Sequence, residues 1–156
     1  MECLINDTRV KYEDGKIYTY IKWGVSKVFK WYILNGTILG KYRRVRINHK
    51  YYFYHRVIFK LHNHDWNIED CSKNNQIDHK DRKTLNNNIE NLRPATQQQN
   101  NFNKTCQKGY SWDKQKNKYK ASISKNCKRK HLGYFDNEID ARNCYLEAKK
   151  IYHKIE

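Results

Sequence analysis

The first third of the chain alternates short runs of Tyr, Ile, Val and Trp with turn-forming residues. Over Lys16–Ile47 glycine and asparagine interrupt these runs, which predicts short strands joined by turns. Asn35–Gly36 is a dipeptide typical of two-residue hairpins, and Asp14–Gly15 predicts a turn that ends the weakly patterned first segment. Three aromatic residues of this region are expected in a core: Trp23, Trp31 and Tyr32.

Two further strands and a helix are predicted after this aromatic region. A strand over Tyr42–Ile47 places Arg44 and Arg46 on one face, because side chains alternate along a strand. A second strand is expected over Lys50–Tyr54. The apolar residues that follow recur at helical spacing, which predicts a short amphipathic helix over His55–His62.

The last third of the chain has a different pattern, beginning with a predicted linker over Lys104–Gly109. Three strands are expected to follow, over Tyr110–Asp113, Lys118–Ser124 and Arg129–Phe135. Small and aromatic residues at helical spacing then predict a packing helix within residues 137–153, with Asn137 as its N-cap.

Composition points to small units and a polyanionic partner. Hydrophobic types make up 38% of the 156 residues and include 13 Tyr, so aromatic packing must replace a large aliphatic core in one domain or two small ones. The formal net charge is +16, and binding to nucleic acid would relieve the self-repulsion of so much charge. An AT-rich coding sequence is an alternative source of the Lys and Asn content, but it does not explain where the charge lies.

The basic residues are concentrated in two stretches. Residues 41–60 carry seven Lys or Arg and no acidic residue. Between Lys104 and His131 ten Lys or Arg stand against one acid, Asp113. The helix predicted beyond His131 is nearly balanced in charge, so the basic side chains belong to the strands, and this sheet is expected to face phosphate.

The cysteines and the apolar runs indicate a compartment. The five cysteines form no C-x2-C pair and their number is odd, which argues against a zinc ribbon or a disulfide framework and fits a reducing compartment. No apolar run has transmembrane length and no signal peptide opens the chain, so a soluble intracellular protein is predicted. His55, His62, His64 and Cys71 lack the spacing of zinc ligands, and His55 is assigned a structural role at the helix start.

An acid and a histidine stand side by side at Asp78 and His79. On an extended segment their side chains point to opposite sides, so the carboxylate can face a Mg²⁺ or Mn²⁺ ion while the imidazole acts as a general base on water. Thr96 and Gln99 have the spacing of a capping box, which starts a helix with Asn100 one turn inside it. The Asn100 amide oxygen could complete the metal site in an arrangement of strand, loop, strand and helix.

Five short motifs in this part of the chain have the order and spacing of a known family. They are Tyr54–Ile58, Asp78–Asp81, Asn86–Asn87, Asn91–Leu92 and Asn100. Residues 50–103 as a whole resemble the HNH endonucleases, especially those of phages and introns, whose fold is called ββα-metal.

This resemblance implies a role for each matching residue. His79 would be the general base, Asp78 and Asn100 would bind the divalent metal, and Asn91 would hold the loop that carries His79. The family usually has glycine where this chain has Arg82, so a turn that needs positive φ would strain the arginine. The implied activity is hydrolysis of DNA to 5′-phosphate and 3′-hydroxyl ends, in an enzyme of the homing or mobile-element type.

A second resemblance covers residues 108–150, where Lys108–Trp112, Tyr119–Ile123, Arg129–Phe135 and Ala141–Ala148 are similar to the ethylene-response-factor (APETALA-type) DNA-binding domain. It implies a DNA-docking face on the strands. Together with the basic strand residues, the predicted contacts to double-stranded DNA are Arg44, Arg46, Lys108, Ser111, Lys120, Ser122, Arg129 and His131.

The expected fold class is α+β, with a ββα-metal nuclease core that is preceded by short strands and followed by a three-stranded sheet and one helix. The expected domains are 1–103, with the nuclease core at about 50–103, and 104–156. No membrane partner and no obligate protein partner are expected. A DNA-binding regulator with an inactive nuclease domain is the alternative function, and RNA is an alternative substrate.

Overall fold

A computed structural model of the chain describes residues 1–22, 28–104 and 107–154. The fold is α+β, with twelve strands and three α-helices in these ranges. The chain forms two compact units, Met1–Pro94 and Ala95–Glu156, which are described separately. The expected boundary after residue 103 stays a prediction. In the described ranges no helix is both long and apolar enough to cross a membrane.

The first unit contains most of the strands. They are β1 (Glu2–Ile5), β2 (Thr8–Glu13), β3 (Lys16–Lys22), β4 (Phe29–Ile33), β5 (Thr37–Leu39), β6 (Tyr42–Ile47), β7 (Lys50–Phe53), β8 (Gln76–His79) and β9 (Leu92–Ala95). Helix α1 (Tyr54–His62) follows β7, and a short 3-10 helix (Ile89–Asn91) precedes β9. The strands predicted near Tyr42 and Lys50 and the helix after them are confirmed to within one residue.

An antiparallel sheet in the order β1-β2-β3-β4 opens the first unit. Its inner face contributes Ile5, Val10 and Ile17 to the core, as alternation along each strand requires. Asp14 and Gly15 have φ angles of +49° and +74° in the tight turn between β2 and β3, which confirms the turn predicted there.

Two expectations for this region are wrong. Asn35–Gly36 does not close a hairpin, because β4 and β5 belong to different sheets. Gly36 has φ +67° and a Cβ there would lie 2.5 Å from the Arg44 carbonyl oxygen, so the glycine allows the chain to pass close to β6. Trp31 lies on the outer face of the sheet, half-buried against Tyr20 at a ring distance of 5.1 Å, and not in the core.

Tyr32 and Trp23 are the other two aromatic residues that were expected in a core. Tyr32 is half-buried and pairs with the buried Thr19 of β3. Trp23 lies outside the described residues.

A second antiparallel sheet, β5-β6-β7, packs one face on helix α1. Val45 and Tyr52 on that face join Val57, Ile58 and Leu61 of α1 in the same core. The core continues to Ile77 of β8 and Leu92 of β9, which form a separate two-stranded sheet. The strand that carries Asp78 and His79 is therefore fixed to the core by its own buried isoleucine.

The second unit begins with α2 (Gln97–Asn103) and continues with β10 (Tyr110–Asp113), β11 (Lys118–Lys125), β12 (Lys128–Phe135) and α3 (Glu138–Tyr152). The three strands form an antiparallel sheet in chain order, and α3 packs on it through Ala141, Tyr145 and Ala148. These predicted elements are confirmed.

Both predicted helix caps are confirmed. The Asn137 side chain accepts from the Asp140 N–H at 2.8 Å. Thr96 and Gln99 form the reciprocal capping box, with distances of 2.7 and 3.2 Å. Four cysteines are free in the described part of the chain: Cys3, Cys71, Cys127 and Cys144.

Candidate functional site

Strand β8 places Asp78 and His79 in the interior, where each residue is about 5% exposed or less. Arg93 of β9 donates to Asp78 Oδ2 from Nε at 3.1 Å and from Nη2 at 2.7 Å. A buried carboxylate needs such a partner to stay ionised. A cation bound to Asp78 would share this carboxylate with Arg93, which the sequence patterns did not identify as a site residue.

The His79 imidazole lies in a cluster of side chains that define its orientation. Its Nε2 is 3.1 Å from Asn87 Oδ1, and its ring centroid lies 5.0 Å from that of His55 and 6.2 Å from that of Tyr42. With the Asn87 oxygen as acceptor, Nε2 carries the proton and the basic lone pair belongs to Nδ1. Asn87 and Tyr42 were not among the predicted site residues.

His55 is a buried histidine that stays neutral beside His79. The pKa of His55 is lowered to about 3, mainly by burial, and the positive charges of protonated His79 and of Arg56 contribute in the same direction. Its ring also stacks on Phe53 at 5.6 Å, with an interplanar angle of 15°. Because His55 remains uncharged at neutral pH, it adds no repulsion when His79 takes up a proton.

The loop after β8 is held together by the side chains of Asp81 and Asn91. Asn91 accepts from the Asp81 N–H at 3.0 Å and donates to Asp81 Oδ1 at 2.9 Å and to the Asn86 carbonyl at 2.8 Å. Asp81 also accepts from the Lys83 N–H at 2.8 Å. The Asn86 side chain donates to Asp81 Oδ2 at 2.7 Å, and this bond is the largest of the effects that lower the pKa of Asp81. These bonds are consistent with the loop-holding role predicted for Asn91.

Arg82 has a φ of +65°, so the positive φ that would strain an arginine is present. Its N–H donates to the His79 carbonyl at 2.9 Å and closes the turn directly after the histidine. A left-handed conformation costs an L-residue about 1–2 kcal/mol compared with glycine. The strain therefore lies in the turn that directs His79.

Arg56 is a structural residue and is unavailable to phosphate. It is 7% exposed, and its guanidinium donates to three carbonyl groups of the following loop, those of Asn75 at 3.0 Å, Ile68 at 2.8 Å and Asp70 at 2.8 Å. The Trp66 ring covers it at 4.6 Å. The basic charge of residues 41–60 thus overstates what this stretch can present to DNA.

The two predicted DNA contacts of this stretch lie together. Arg44 and Arg46 are on the outer face of the second sheet, with their guanidinium carbons 4.4 and 5.8 Å from the Tyr51 ring centroid. Arg44 is half-buried and Arg46 is exposed.

Asn100 is half-buried in α2 of the second unit, and its N–H donates to the Thr96 carbonyl at 2.9 Å. Asp78 belongs to the first unit, so the metal site that joins these two residues stays a prediction. The carboxylate of Asp78 is a hard oxygen ligand suited to Mg²⁺ or Mn²⁺. Within the described ranges no three His, Cys, Asp or Glu side chains converge as a zinc site would need.

Five of the six predicted DNA contacts of the second unit share one face of its sheet. Ser111 pairs with Lys120 and Ser122 pairs with His131, while Arg129 donates from Nε to Ser122 Oγ at 2.9 Å. Ser122 is buried, and the other four are exposed or half-buried. Lys108 is exposed just before β10. This placement is compatible with DNA contact, which stays a prediction.

Comparison with known families supports one of the two resemblances. Residues 52–102, a third of the chain, match the family model described as HNH endonuclease. This range agrees with the nuclease core expected at about 50–103. Comparisons with curated proteins and with solved structures gave no match. Residues 52–102 are therefore similar to HNH endonucleases, which supports nuclease activity on DNA, and the resemblance of residues 108–150 stays a prediction.

Proposed function

We propose that this chain is a metal-dependent endonuclease that hydrolyses phosphodiester bonds of double-stranded DNA. One observation carries the proposal. Within the matched HNH region, β8 presents Asp78 and His79 side by side, and a loop tied together by Asn91 and Asp81 follows them. This is the residue set that activating a water beside a hard cation requires.

His79 acts as the general base, and the contact between its Nε2 and Asn87 Oδ1 orients the ring. It removes a proton from water, whose oxygen attacks the phosphorus in line with the departing 3′ oxygen. The products carry 5′-phosphate and 3′-hydroxyl ends. The Asn87 oxygen stabilises the imidazolium that forms, and neutral His55 adds no repulsion to it. Asp78 and Asn100 would hold a Mg²⁺ or Mn²⁺ ion, which would supply positive charge for the pentavalent transition state and the leaving oxygen.

Both units contribute to holding the substrate in this proposal. Arg44 and Arg46 bind phosphate beside the HNH region. The face of the second unit that carries Ser111, Lys120, Ser122, Arg129 and His131 docks on the duplex together with Lys108. A nuclease with its own DNA-binding face fits the site-directed, mobile-element type of endonuclease.

Plasmid cleavage with Mg²⁺ tests the proposal. Wild-type protein and a His64→Ala control, which changes an exposed histidine outside the site, should cut the plasmid, and His79→Ala should not. The ends should be ligatable without further treatment if they carry 5′-phosphate and 3′-hydroxyl groups. Equal cleavage by His79→Ala and wild type would overturn the assignment of His79.

A DNA-binding regulator with an inactive nuclease domain is the second candidate, and two observations favour it. Arg82 is strained in the turn that directs His79, and His79 itself is 4% exposed. This candidate predicts duplex binding in chelator and no cutting of DNA or RNA with either Mg²⁺ or Mn²⁺. Cutting that stops with His79→Ala excludes it.

A further inference from the structure

The outer face of the sheet β5-β6-β7 exposes aromatic and aliphatic side chains between two arginines. Arg44 pairs with Phe53 and Arg46 with Tyr51 across β6 and β7, so these four side chains lie on one face. Leu39 of β5 pairs with Tyr42 on the same face. Tyr51 is 55% exposed, Phe53 is 44% exposed and Leu39 is 54% exposed, although residues of these types are commonly buried in a core. We refer to Leu39, Arg44, Arg46, Tyr51 and Phe53 as the aromatic–arginine face.

The strands of this face carry no acidic residue, and the carboxylate of Glu69 binds Lys50 and Tyr52 on the opposite side of β7. The sequence from Gly15 to His64 contains no acidic residue. Both arginines of the face lie against the Tyr51 ring instead of pairing with a carboxylate. Arg44 Nε is buried, and no described residue accepts a hydrogen bond from it.

A row of ring contacts connects this face to His79. Phe53 lies 5.5 Å from Tyr42 and 5.6 Å from His55. Tyr42 and His55 in turn lie 6.2 and 5.0 Å from His79. A substrate strand on the aromatic–arginine face would therefore lie next to the proposed catalytic base.

We propose that the aromatic–arginine face binds unstacked nucleotides, with Phe53 and Tyr51 stacking on bases while Arg44 and Arg46 hold the adjoining phosphates. This inference rests on the proposed function and adds to it the state of the substrate at the site. An intact duplex offers phosphates and groove edges, which gain little from exposed rings, whereas unpaired bases offer the flat apolar surfaces that aromatic side chains bind. The face therefore favours a locally opened or single-stranded segment of DNA beside the cut.

Binding measurements on the full-length, inactive His79→Ala variant distinguish contacts to bases from contacts to phosphates. The probes are a single strand of about 16 nucleotides and an abasic strand of the same length, which keeps the phosphates and lacks the bases. The His79→Ala protein should bind the strand with bases more tightly. Adding Phe53→Ala should weaken binding to that strand roughly 5- to 100-fold and leave binding to the abasic strand nearly unchanged.

Salt dependence gives an independent readout for the arginines. Adding Arg46→Gln should lower the slope of log affinity against log salt by about 0.7, because one phosphate contact is lost. Adding Phe53→Ala should leave the slope unchanged, since stacking releases no counterions. Phe29→Ala, at a residue 52% exposed on the first sheet, is the matched control and should change neither quantity. Thermal unfolding identifies a misfolded variant, and Tyr51→Ala then replaces Phe53→Ala as the test of stacking.

Three outcomes would overturn the proposal. The first is equal affinity for the two strands. The second is that Phe53→Ala, in a folded protein, weakens binding to both strands equally. The third is a self-associating chain that Phe53→Ala converts to a monomer without changing its affinity for the strand, which would make the face an interface between copies. Because His79→Ala is used throughout, these outcomes do not depend on cleavage, and failure of wild type to cut DNA would leave the binding result intact.

Discussion

Protonation of His55 should destabilise the first unit as the pH falls below neutral. His55 is 6% exposed and is faced by Tyr42, Phe53, His79 and Arg56, none of which offers a negative charge. Its pKa is lowered from 6.5 to about 3. In the window between these two values the unfolded chain binds a proton at this residue and the folded chain does not, so stability is complete above pH 6.5 and is lost as the pH falls.

The size of the effect follows from linkage. Each pH unit within the window costs about 1.4 kcal/mol for one proton. Lowering the pH from 6.5 to 5 should therefore remove roughly 2 kcal/mol, a large fraction of the stability of a small unit. The same loss of stability should loosen the packing around His79, so the rate of DNA cleavage should fall over the same pH range.

Urea unfolding between pH 5 and pH 7.5 measures this effect. Tryptophan fluorescence reports mainly on the first unit, which holds three of the four tryptophans. His55→Phe is the control because it keeps an aromatic ring against Tyr42 and Phe53 and cannot be protonated. The difference in unfolding free energy between the two proteins should change by roughly 2 kcal/mol across this range. Parallel curves for wild type and His55→Phe would refute the reasoning.

Three further predictions concern the residues around His79. Arg82→Gly should be more stable than Arg82→Ala by about 1 kcal/mol in urea unfolding, because both lose the side chain and only alanine keeps the cost of φ +65°; equal stability would contradict the strain. Arg56→Met should lower the free energy of unfolding by at least about 2 kcal/mol, because three carbonyl groups lose their donor. Arg46→Met, the control, should change it by less than about 0.5 kcal/mol. Similar losses for the two variants would show that Arg56 does not anchor the loop. Asn87→Ala should slow single-turnover cleavage roughly 10- to 100-fold at unchanged DNA affinity, because His79 loses the acceptor that orients it; an unchanged rate would remove Asn87 from the site.

The elements that could be predicted are those specified by local sequence. The strand Tyr42–Ile47 and the strand Tyr110–Asp113 have the predicted bounds, because alternation and turn residues act over a few positions. The caps at Thr96 and Asn137 are local for the same reason. The similarity of residues 52–102 to HNH endonucleases could be predicted because its motifs follow one another in a characteristic order at short spacings.

The features that could not be predicted depend on contacts between distant elements. Asn35–Gly36 has the turn chemistry of a hairpin, but the sheet to which β5 pairs decides whether a hairpin forms. Trp31 has the hydrophobicity of a core residue, and only the face of β4 decides its exposure. Arg93 and Arg56 appear as surface charges in the sequence, yet one holds Asp78 and the other anchors a loop. Charge counted along the chain therefore overestimates the number of cationic side chains that are available to a polyanion.

The single-turnover rate of DNA cleavage by His79→Ala at saturating protein tests the central claim most directly. Binding measured in chelator shows that each variant holds the DNA equally, and His64→Ala serves as the matched control. His79→Ala should lose roughly 100- to 10,000-fold in rate, the contribution of a general base, while His64→Ala should match wild type. A His79→Ala rate within a few-fold of wild type would show that His79 is not the general base.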